Sequence, residues 1–151
     1  MAITEPGEAQ NHNKKMGKFE VLVDSDGWIA LYLPDDLLHT DTVSIYQRLQ
    51  AQNKKLVTTS AVIGETATVL SHRSGQKLAR HFLLAIEQSG IPIIFVDEKL
   101  HHQALELFMQ QEKKGTSFVD CANVVVARAF DIPTVLSFDG FYPRQPGLKA
   151  A

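Results

Sequence analysis

Short runs without a polar alternate face recur along this chain, and each gives way to a helix-like pattern. VLV at 21–23, LV at 56–57, IPIIFV at 91–96 and TVLSF at 134–138 are such runs. A strand with no polar face must be covered on both sides. Short apolar strands joined by helices therefore run parallel, as the middle layer of three. The chain is expected to be α/β, with a parallel sheet of four or five short strands.

Periodicity and caps place the elements. Strands are expected at 19–23, 56–59, 91–96 and 134–138. Helices are expected at 27–33, stopped by Pro34, and at 36–52, capped by Asp35 and Asp36. A third starts at Ser60, and a fourth covers 76–89 and ends at Gly90. Asp97 caps a fifth that runs to about Lys114, and Ser117 caps a sixth over 119–130. Residues 1–18 are polar and aperiodic and read as a flexible extension. Residues 143–151 carry Pro143, Pro146 and Gly147 and read as an irregular tail. One domain, 19–142, remains between them, and its 44% apolar content across the chain suffices for one core.

Charge and cysteine content narrow the function. A net charge of −2 excludes general affinity for nucleic acid or anionic membrane. A nucleic-acid ligand would need a local basic face, and His72, Arg73, Lys77, Arg80 and His81 recur at helical spacing. A solvated helix face explains the same pattern. The single cysteine, Cys121, excludes an internal disulfide, fits a reducing cytoplasm and reads as a small core residue. The first twenty residues hold no apolar run of the signal-peptide kind. The longest apolar run is broken by Pro92 and is too short to span a bilayer.

Acidic residues fall where such a sheet places its ligands. In open α/β sheets, ligands bind beyond the carboxyl ends of the strands, where strand order reverses. Asp24 and Asp139 directly follow strands, Asp120 lies in the first turn of a helix, and Glu65 in the second turn of another. Each aspartate has an ordinary explanation. Asp24 can cap a helix, Ser117 with Asp120 fits a capping box, and Asp139–Gly140 fits a turn. Asp97 reads as an ordinary cap. Glu65 is harder to explain, because it shares a helical face with Ala61, Val62 and Val69 and has no Lys or Arg within a turn. A cluster of these acids calls for a hard cation, Mg²⁺ or Mn²⁺. Zinc is a poor fit, since the histidines are scattered and His101 and His102 read as surface residues.

Four segments in order carry a family resemblance: VLVDSDGWIALYLPDD, TTSAVIGETATVL, IPIIFVDEKLHHQALELF and SFVDCANVVVARAFDIPTVLSFDGFY. Over residues 19–142 the sequence resembles the PIN-domain ribonucleases, especially the single-domain VapC-type toxins of VapBC toxin–antitoxin pairs. The resemblance implies a three-layer PIN-like fold and an acidic quartet of Asp24, Glu65, Asp120 and Asp139. It implies supporting hydroxyls at Ser25 and Ser117. It further implies Mg²⁺-dependent RNA hydrolysis, with Asp24 and Asp120 as main ligands, a partner antitoxin and a homodimer. RNA would be held by Arg73, Lys77 and Arg80. Asp26 departs from the pattern, where a small polar residue is usual, and two roles stand open for it, joining the metal shell or capping the helix. Two rival readings stand beside this one. Asp24-x-Asp26 also resembles the loop of haloacid-dehalogenase-type phosphatases, and the fold could serve as a binding module without catalysis.

Overall fold

A computed structural model describes residues 3–4 and 18–151. Six strands form one parallel sheet: β1 (Ile3–Thr4), β2 (Val21–Val23), β3 (Leu56–Thr59), β4 (Ile93–Ile94), β5 (Thr134–Leu136) and β6 (Lys149–Ala150). Their order is β1-β4-β3-β2-β5-β6. The helices are α1 (Ser25–Tyr32), α2 (His39–Ala51), α3 (Ser60–Ser74), α4 (Gln76–Ser89), α5 (Glu98–Met109) and α6 (Phe118–Ala129). The four expected strands are the inner ones. Two-residue strands flank them, one from the 1–18 extension and one from the 143–151 tail. The rest of that extension, residues 1–2 and 5–17, lies outside the described residues.

The sheet separates two cores, and alternation along the strands feeds both. Leu22, Val57, Ile94 and Val135 face a cluster built on α5 and α6. Val21, Val23, Ile93 and Leu136 face one built on α1 to α4. Trp28 anchors the second cluster. It packs against Tyr46 and Phe82 and donates from Nε1 to Thr58 Oγ1 at 3.2 Å.

Several boundaries differ from expectation for local reasons. Helix α1 begins at Ser25, not 27, because the Asp24 carboxylate accepts from Ser25 N. Helix α2 begins at His39, because Asp36 closes a turn by accepting from Leu38 N instead of capping a helix. Thr59, not Ser60, caps α3. Ser60 Oγ instead accepts from Val96 N and ties the β4 exit to α3. Strand β4 shrinks to two residues, and α5 ends at Met109. Helix α4 and the Ser117–Asp120 capping box of α6 are as expected.

Strand order reverses at β2. Successive strands β3 and β4 lie to one side of it, and β5 returns to the other. Asp24, the residue after β2, therefore stands at the switch point.

Candidate active site

Asp24 caps α1 and is 4% exposed. Its Oδ1 accepts from Ser25 N at 2.7 Å and from Asn123 Nδ2 at 3.0 Å. Its Oδ2 accepts from the Tyr142 hydroxyl at 2.9 Å. Asp120, 7% exposed, closes the α6 capping box with Oδ2 on Ser117 N, and its Oδ1 lies 3.2 Å from the same tyrosine hydroxyl. Asn123 is one turn further along α6, on the same face. Its amide nitrogen also donates to Tyr142 Oη at 2.9 Å, and its oxygen accepts from Thr59 Oγ1 at 3.1 Å.

Proton counting makes this cluster informative. A phenol carries one proton, and the Tyr142 hydroxyl is within reach of two carboxylates. It can satisfy one at a time. That leaves an oxygen of the other open to a water or a cation. Burial, the nearby Asp26 and Asp120 carboxylates set against the Ser25 and Tyr142 hydrogen bonds, pushes Asp24 up to about 7. Burial and the two carboxylates also push the Tyr142 phenol far upward, so it stays neutral. Among the described residues the ion pairs are Lys54–Glu20, Arg73–Asp36 and His102–Glu98, and none involves a site acid.

Glu65 joins through Ser25, whose hydroxyl donates to Glu65 Oε2 and lies 3.4 Å from Asp24 Oδ1. It is half-buried and lies beside the buried stripe of α3, which is Val62, Ile63, Thr66 and Leu70. The expectation that it lies on the buried face is corrected by about one position. Asp139 is exposed and makes the ordinary turn contact, with Oδ1 accepting from Phe141 N at 2.9 Å.

Asp26 neither caps α1 nor bonds Asp24. Its Oδ2 accepts from Ser137 Oγ at 2.9 Å and Phe138 N at 2.7 Å, tying the β5 exit to the start of α1. Its Oδ1 is buried without a hydrogen-bond partner. Burial raises its pKa, against the Phe138 and Ser137 hydrogen bonds. The phosphatase-type reading needs Asp26 beside Asp24 as an acid/base, and the structure turns Asp26 to the loop after β5 instead.

Of the basic residues, Arg73 is committed to Asp36, with Nη1 donating at 2.8 Å. Lys77 and Arg80 are exposed on α4. A cavity of about 600 Å³ lies between α5 and α6, lined by Asp97, Leu100, Gln103, Leu107, Val125 and Arg128, and contains none of the site acids. Asn123 and Tyr142 were not foreseen as site residues. A polar residue inside NVVVA, one turn from Asp120, was the available signal for Asn123.

The PIN domain family pattern matches residues 21–146. The chain belongs to the PIN domain family. Within it, the chain is 31% identical over 121 residues to the 23S rRNA-specific endonuclease VapC20 of Mycobacterium tuberculosis, spanning 80% of this chain and 89% of the relative. It is 30% identical to a VapC ribonuclease of Archaeoglobus fulgidus, over 78% and 76% of the two chains. The crystal structure of VapC20, described as a sarcin-ricin loop cleaving toxin, superposes with a TM-score of 0.71 at 30% identity, over 80% of this chain and 91% of that one. VapBC2 of Rickettsia felis shares the fold, with a TM-score of 0.63 at 19% identity, over 87% and 96% of the two chains.

Nucleases of this family are generally metal-dependent. The donors here fit a hard cation, since they are oxygens only, largely buried, and lack a basic partner. Among the described residues no three acid, histidine or cysteine side chains already surround one point. Hydroxyls separate the acids instead, Tyr142 between Asp24 and Asp120 and Ser25 between Asp24 and Glu65. Among the described residues no helix is long and apolar enough to cross a membrane.

Proposed function

We propose that the protein is a Mg²⁺- or Mn²⁺-dependent endoribonuclease of the VapC type, the toxin of a type II toxin–antitoxin pair, acting in the cytoplasm. One observation carries this reading: two buried carboxylates, one at the switch point and one in the first turn of α6, meet at a single phenol that cannot donate to both. Asp24 and Asp120 are the main ligands, Glu65 orients water or completes the shell, and Asp139 acts at its outer edge. Ser25, Ser117, Asn123 and Tyr142 hold these carboxylates in place. A divalent cation bound there would make a nucleophile of water near neutral pH and stabilise the leaving oxygen.

The relatives suggest the substrate class. A loop of structured RNA, ribosomal RNA first, is the substrate to test. An antitoxin that covers the acidic rim and a homodimer complete the reading, both on family grounds. The test incubates the protein with ribosomes and with total RNA, with Mg²⁺ and with EDTA, and maps ends by primer extension. Discrete cuts that need Mg²⁺ and vanish in Asp24→Asn support the reading. Cuts that persist in EDTA, or RNA bound without any cut, would overturn it.

A further inference from the structure

The segment after β5 presents two groups that the hydrolytic reading does not use. Phe138 is 38% exposed, although large aromatic side chains are costly to leave in water. Its backbone is not loose. Phe138 N donates to Asp26 Oδ2, Ser137 Oγ donates to the same oxygen, and Asp139 N donates to Ser137 Oγ at 3.1 Å. An exposed ring is thus fixed at the strand-carboxyl rim, beside Asp139. Two residues beyond Asp139 the chain turns, and Arg144 folds back over Gly140, with Nη1 3.2 Å from where a β-carbon would stand. Among the described residues Arg144 forms none of the ion pairs. A flat ring and a guanidinium therefore stand on one short segment beside Asp139, the ring before it and the guanidinium on the Tyr142–Arg144 turn.

Those two groups match what single-stranded RNA offers. Unpaired bases stack on aromatic rings, and guanidinium groups grip phosphates. Asp26 occupies a position where a small residue is usual, and its reach is what the clamp on Phe138 requires. We infer that Phe138 is the stacking platform for an unpaired base next to the scissile phosphate, that Arg144 takes an adjoining phosphate, and that Asp26 is the positioning residue for Phe138. This rests on the ribonuclease reading and adds how the substrate is gripped.

The test measures cleavage kinetics on fluorescently labelled ribosomal RNA stem–loops, the substrate class proposed above, and on total RNA in Mg²⁺, at several salt concentrations. Phe138→Ala and Phe138→Leu should each raise KM about tenfold and leave kcat within about twofold. Phe138→Trp should keep the wild-type KM. Arg144→Ala should raise KM and lower the salt slope by about one. A Phe138→Leu protein with wild-type KM overturns the inference, because any apolar side chain would then serve. So does a Phe138→Ala protein that loses kcat alone, since that is a displaced loop. Far-ultraviolet circular dichroism confirms that each variant is folded. A wild-type protein that leaves all RNA intact defeats the ribonuclease reading itself. Cleavage by wild type with undiminished Phe138 variants defeats only the grip described here.

Discussion

Asp24, the ligand proposed above, is also a liability to the fold. Folded, it keeps its proton up to about pH 7, while its ordinary value is 3.8. Between those values the folded state binds the extra proton, so stability is highest below the window and falls as pH rises through it. In EDTA, the melting temperature should drop between about pH 4 and pH 7, and then level. Mg²⁺ should raise it more at pH 8 than at pH 5, because only the ionised cluster gains a partner. Equal Mg²⁺ shifts at both pH values would contradict this. Asp24→Asn separates the roles. Cleavage should fall by orders of magnitude, while the metal-free protein at pH 8 should melt higher than wild type. Tyr142→Phe should act the other way. It strands Asp24 Oδ2, Asp120 Oδ1 and an Asn123 N–H in a buried site, at about 1–3 kcal/mol in urea unfolding at pH 8.

At the scale of elements, the seating of α1 on the sheet determines where Asp24 and Asp26 point. Gly27 lies against β5. A β-carbon there would stand 2.6 Å from Leu136 Cδ2 and 3.1 Å from Leu136 O. Gly27→Ala should therefore cost about 1–3 kcal/mol and weaken cleavage, measured by urea unfolding and RNA cutting together. An unchanged unfolding midpoint would show that the sheet yields. Much at this scale was legible. The α6 capping box, the Gly90 stop of α4 and the order of elements follow from local spacing. Other features were not, because local rules compete. Asp36 closes a turn, Thr59 outranks Ser60 as the α3 cap, and the buried stripe of α3 runs beside Glu65 instead of through it. The Asp26 bond to Phe138 spans most of the chain, so no local pattern announces it.

At the scale of the molecule, the three-layer parallel architecture was legible because wholly apolar strands have few ways to be covered. The edge strands β1 and β6 were not, since two residues carry no pattern of their own. The contact of Asp24 with Asp120 was expected only as a shared rim. The bridging phenol belongs to Tyr142, a position whose local sequence explains it as core. Charge also behaves differently at this scale. Arg73 is paired with Asp36, so the α4 face offers Lys77 and Arg80 without it. Arg73→Ala should change RNA affinity little, and Lys77→Ala with Arg80→Ala should weaken it several-fold with a shallower salt dependence. Filter binding with RNA over a salt series distinguishes these.

The hydrogen bond from Tyr142 to Asp24 has a consequence in time. A ribosome makes the first acid early and the phenol that steadies it more than a hundred residues later. Until Tyr142 has left the exit tunnel the pocket lacks its keystone, and the two buried acids lack the phenol that bridges them.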